Sequence, residues 1–109
     1  MFIRTGWGQY FAAAPGLYAG ADSPGPGLNG AEWLIKQGAR IVGDDTLTFE
    51  QRPPLAFDAA GNVTQVFPVH MRLIPDNGIF IIENLDLELV TRTFEFGSIT
   101  GRLSGREGR

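Results

Sequence analysis

The chain carries one histidine, His70. A lone histidine in a helix is most often an ordinary surface or core residue, so its surroundings decide whether it does chemistry. Thirteen positions on, Glu83 directly follows four large apolar residues, Ile79-Phe80-Ile81-Ile82. A carboxylate emerging from a buried strand needs a cation, an arginine or a metal to offset its desolvation. An imidazole nitrogen and a carboxylate oxygen are both donors for zinc, manganese or a similar divalent ion. His70 and Glu83 therefore form a plausible pair, but two ligands are too few. A catalytic zinc takes about three protein ligands and keeps a position for water. Asp44 and Asp45 fall where a short strand ends, the place at which open α/β sheets put site-supporting groups. The blander reading, which the sequence alone favours, is that both simply solvate a turn.

Other chemistries find little support. With no cysteine, disulfides, thiolate zinc sites and a cysteine nucleophile are excluded. There is no G-x-S-x-G, and any serine triad would have to recruit the same single histidine. Gly16, Gly20, Gly25, Gly27 and Gly30 form neither a P-loop nor a dinucleotide fingerprint. A net charge of −3, a pI near 5.0 and no basic cluster before the last few residues argue against nucleic acid. No window approaches the ~18 consecutive apolar residues of a membrane span, and the first residues lack a signal peptide's apolar region. The expected setting is cytoplasmic.

The elements that must position these residues read as α/β. At 109 residues with 43% hydrophobic and 19% charged, the chain is globular in composition and one unit or part of one. Residues 12–28 are rich in Gly, Pro and Ala. Tyr10, Phe11, Leu17 and Tyr18 are too apolar for a solvated spacer, so a packed loop is expected there. Asn29 and Glu32 suggest a capping box opening a helix. Leu28, Ala31, Leu34 and Ile35 would form its buried face beside Trp33, with Gly38 as left-handed terminator. Ala39–Gly43 reads as a short strand. Residues 51–67, interrupted by Pro53-Pro54 and Ala60-Gly61-Asn62, read as a surface loop or excursion. Pro68 suits the first turn of a helix through Ile74, which Pro75 should end or distort, and Gly78 closes the turn. Ile79–Ile82 fits a central strand covered on both faces. Over 85–89 the alternating leucines leave helix and strand both open, with helix preferred. From Gly97 onward glycines and arginines leave too few apolar groups to offset ordering entropy, and disorder is expected.

Five segments, in order, resemble the cyclase family that includes bacterial kynurenine formamidases: Ile3-Arg4-Thr5-Gly6-Trp7; Pro24-Gly25-Pro26-Gly27-Leu28 with Ala31-Glu32-Trp33-Leu34; Gly38 through Thr46; Pro68-Val69-His70; and Gly78-Ile79-Phe80-Ile81-Ile82-Glu83-Asn84-Leu85. The resemblance runs from residue 3 to about residue 96. It implies an α/β fold with a mixed sheet and packed helices, of the swivelling β/β/α kind, here incomplete. Residues 1–96 would be the C-terminal part of a cyclase-like domain and 97–109 a disordered tail. It also implies a metal-dependent hydrolase that opens the formamide of N-formylkynurenine, a step of tryptophan catabolism, or related amides and lactones. His70 and Glu83 match the family's metal ligands. Zinc is the expected ion and manganese the alternative. The remaining ligands and the catalytic residues lie in a His-x-x-x-His-x-Asp cluster upstream of the Arg-Thr-Gly segment, and that cluster is absent here. Pro75 and the tail also depart from the family pattern.

The leading expectation is thus part of an arylformamidase-like hydrolase, inactive without a complementary N-terminal half; homodimerisation is a family expectation. A rival is a non-catalytic binding or structural domain retaining the scaffold. In a third reading, a small independent α/β domain, His70 and Glu83 never meet.

Overall fold

The computed structural model describes residues 1–88. Its centre is a three-stranded parallel sheet in the order β1-β2-β5, built from β1 (Phe2–Ile3), β2 (Ile41–Asp44) and β5 (Phe80–Ile82). Phe2 lies opposite Gly43 and Ile3 opposite Asp44; Ile41, Val42 and Gly43 lie opposite Phe80, Ile81 and Ile82. Because successive side chains alternate between faces, Ile3, Val42 and Ile81 share one face, and Phe2, Ile41, Phe80 and Ile82 share the other. The first face meets α3 (Leu28–Lys36) and α4 (Pro68–Asn77). Ala31, Leu34, Val42, Phe49, Val69, Leu73 and Ile79 are buried between these layers as one core. The mixed α/β architecture is the one expected.

The second face is not covered within the described residues. Phe80 is 70% exposed, and Phe2, Ile41 and Ile82 are also open to solvent. The expectation that Ile79–Ile82 would be a central strand buried on both faces is corrected: β5 is an edge strand, and only alternate residues reach the core. A continuous apolar run signals burial in general, but it cannot say which layer supplies that burial.

Other local expectations are met or revised. The packed reading of residues 12–28 holds, with two helical turns, α1 (Tyr10–Ala13) and α2 (Pro15–Tyr18), and a buried Tyr18. Ser23 bridges Arg52, whose guanidinium donates to Ser23 Oγ and to the carbonyls of Tyr18 and Ala19. The helix α3 begins one residue before Asn29, with Gly27 at the cap and no side-chain cap bond, so the proposed capping box does not form. Glu32 pairs instead with Arg72 of α4. Gly38 takes the left-handed conformation expected of it, φ 74°.

Residues 51–67 are not wholly irregular. Strands β3 (Leu55–Phe57) and β4 (Val63–Val66) pair antiparallel around the Ala60-Gly61 turn. They are too short for periodicity to reveal. The helix α4 continues through Pro75 to Asn77, because a proline so near the C-terminal end forfeits one backbone bond without breaking the preceding turns. Residues 85–87 form no helix. The remainder of that segment, the boundary at residue 96 and the Gly/Arg tail lie outside the described residues.

Candidate functional site

The site is built where β2 and β5 end, beside the N-terminus of α4. Phe67, at the cap of α4, has left-handed backbone angles (φ 54°, ψ 52°) and offers no side-chain cap. The first amides of the helix therefore need an acceptor from elsewhere. Glu50 supplies it: its carboxylate accepts from Val69 N–H at 3.2 Å and from His70 N–H at 3.0 Å. The same Glu50 Oε1 lies 2.7 Å from His70 Nδ1. On the other side of the ring, His70 Nε2 lies 2.9 Å from Glu83 Oε2. The imidazole is thus held between two carboxylates. Glu50 is 1% exposed, while the Glu83 side chain is 40% exposed and faces solvent.

The structure therefore brings the two sequence-predicted residues, His70 and Glu83, into direct contact, and the reading in which they never meet is overturned. Glu50 was missed by sequence reasoning, and no local signal marks it. It sits in an irregular stretch twenty residues before its partner. Its place is fixed from both sides: Phe49 is buried in the core, and Gly25 packs so closely that a Cβ there would stand 2.2 Å from Phe49 O and 2.7 Å from Glu50 C.

Asp44 and Asp45 do not solvate a turn; both are fully buried. Asp45 accepts from Thr5 N–H (2.9 Å), Thr5 Oγ1 (2.6 Å), Gly6 N–H (3.0 Å) and Gly8 N–H (3.4 Å), pinning the segment after β1 to the end of β2. Burial pushes its carboxyl up, but these hydrogen bonds outweigh burial and hold it below the usual carboxylate range. Asp44 Oδ1 accepts from Thr46 N–H and Oγ1 at 2.9 and 2.7 Å, whereas Oδ2 is buried without a partner. Burial dominates here. Reinforced by the charges of Asp45 and Glu83 against the Thr46 hydrogen bonds, it pushes Asp44 up to about 6. The hydrogen bond to Glu50 raises the pKa of His70; burial works against it, and Glu83 adds to the rise.

His70 Nε2 and Glu83 Oε2 are close enough to bind one ion, given metal–ligand bonds of about 2.0–2.2 Å. Glu50 cannot join them, because it occupies the opposite ring nitrogen. Among the described residues no group of three or more His, Cys, Asp or Glu side chains could hold a metal. The donor chemistry of the pair fits a divalent ion, with further donors needed from outside the described residues.

The segment that carries Thr5, Asp44, Asp45 and Glu50 is also the one that known sequences recognise: a family model described as "Putative cyclase" matches residues 1–51. Residues 1–51 carry the cyclase pattern. The match ends well before the residue, near 96, to which the sequence resemblance was read; His70 and Glu83 lie beyond it. No curated protein and no solved structure matches the chain. Within the cyclase segment the residues that meet the His70 site are Glu50, by direct contact, and Asp44, through its charge. No helix among the described residues is long and apolar enough to cross a membrane.

Proposed function

We propose that this chain supplies the His70–Glu83 part of a divalent-metal centre in a cyclase-family amide or lactone hydrolase, with an arylformamide such as N-formylkynurenine as the substrate class. The observation that carries the reading is the 2.9 Å approach of His70 Nε2 to Glu83 Oε2, two side chains of metal-ligand type meeting at the ends of a helix and a strand. A divalent ion, zinc or manganese, supplies Lewis acidity toward a carbonyl oxygen and lowers the pKa of water toward ~7. His70 and Glu83 would hold it, Glu50 would keep the imidazole in place, and Asp45 would keep the β1–β2 ends rigid around it. The leaving-group proton needs a second acid or base, and the chain's only histidine is already engaged. The proposal therefore includes a complementary N-terminal half bearing the family's remaining ligands.

The test is hydrolysis of formylkynurenine and of simple lactones by the purified chain, alone and co-expressed with an N-terminal half of a cyclase-family protein. Turnover only in the reconstituted, metal-loaded sample supports the proposal. Absence of turnover in a folded, associated complex contradicts it.

A second reading is favoured by one observation: the Glu50–His70–Glu83 array satisfies its own hydrogen bonds by direct contact. In that reading the array is a structural clamp of a non-catalytic domain, and His70→Ala alters neither metal uptake nor activity.

A further inference from the structure

An imidazole between two carboxylates has one open question, which nitrogen keeps its proton when the ring is neutral, and the two carboxylates are not equivalent. Glu50 is buried, anchored by two backbone donors and walled in by Phe49 and Gly25. It cannot turn away. The Glu83 side chain is 40% exposed and touches His70 through a single 2.9 Å contact, so it can rotate into water. A carboxylate is an acceptor only, so a bare Nδ1 against the fixed Glu50 would leave two acceptors 2.7 Å apart with no hydrogen between them. The same repulsion at Nε2 is relieved by moving Glu83.

We propose that Glu50 is a positioning residue: it holds the proton on His70 Nδ1 and so dedicates Nε2, on the Glu83 side, to ligand binding. One buried carboxylate then performs two tasks. It caps α4, which has no cap of its own, and it fixes both the orientation and the tautomer of the histidine on that helix, the arrangement that gives metal-binding histidines their directionality. Only the metal part rests on the proposed function; the tautomer assignment stands without it.

His70 is the only histidine, so long-range proton–nitrogen NMR of the labelled chain reports its two ring nitrogens free of overlap. At a pH where the ring is neutral, Nδ1 is expected to be protonated and Nε2 bare. In Glu50→Gln, the single amide oxygen is claimed by the backbone donors of Val69 and His70. The amide NH2 then faces Nδ1, and the proton is expected to move to Nε2. Glu83→Gln, as control, keeps the proton on Nδ1. Titration with zinc alone should perturb Nε2 in the wild type, with affinity falling about 10–100-fold in Glu50→Gln. A wild-type ring protonated mainly at Nε2 overturns the proposal, and that measurement needs no variant. So does a folded Glu50→Gln with the wild-type tautomer and zinc affinity. Protonation at Nδ1 with no zinc response upholds the role of Glu50 and counts against the metal reading alone.

Discussion

Asp44 offers the sharpest energetic prediction. Its carboxyl is fully buried, Oδ2 has no partner, and its pKa is pushed from 3.8 up to about 6. A folded-state value above the unfolded one means that the native protein binds more protons between these limits, so Asp44 removes stability as pH rises from about 4 to about 6. A shift of roughly two units corresponds to about 3 kcal/mol, fully expressed above pH 6. Asp44→Asn keeps an oxygen for Thr46 and abolishes the ionisation. The assay is urea unfolding of both proteins at pH 4 and pH 7.5, read as the change in their stability difference, which cancels the other titrating groups and any fixed cost of the buried amide. Asp44→Asn should gain about 3 kcal/mol on the wild type between the two pH values. With a slope near 1 kcal/mol per molar urea for a chain this small, that is a relative midpoint shift on the order of 2–3 M. A stability difference independent of pH would refute the reasoning, and with it the conclusion that burial dominates at the end of β2.

Asp45 should behave in the opposite sense. Asp45→Asn is expected to cost about 2–3 kcal/mol at pH 7 by weakening charge-assisted bonds, and because the native pKa is lowered, the gap between variant and wild type should close as pH falls below 3.8 and through that lowered value; an acid-insensitive gap contradicts this. Leu73→Ala, at a fully buried position of the core, should cost about 2–5 kcal/mol in urea unfolding. The raised pKa of His70 means that its ionised contacts stabilise the fold fully below about pH 6.5 and are lost as pH rises through the higher native value. His70→Gln should therefore cost more stability at pH 6 than at pH 9, and equal costs would contradict the ionised clamp.

Much of the site was legible because its signals are local. Glu83 follows a buried apolar run, His70 follows a proline that opens a helix, and both positions could be read from neighbours one or two residues away. Glu50 and Asp45 could not, since what makes them matter is a set of donors brought from residues 69–70 and 5–8 by the tertiary fold. The same limit applies to the fold. The helical faces of α3 and α4 and the Gly38 and Gly78 terminators follow from local pattern. The hairpin β3–β4 is too short to be periodic, and the edge position of β5 depends on which strands lie beside it. Asn29 and Glu32 show the reverse error, a sound local capping pattern overridden by a glycine cap and an ion pair to α4.

The most direct test of the central claim, that His70 and Glu83 are ligands of one ion, is the metal content of the chain reconstituted with an N-terminal half. It should be compared for wild type, His70→Ala and Glu83→Ala after equal dialysis against trace chelator. Stoichiometric zinc or manganese in the wild type and a loss of most of it in each variant is the predicted result. Equal metal in all three folded complexes, or none in any of them, would contradict it.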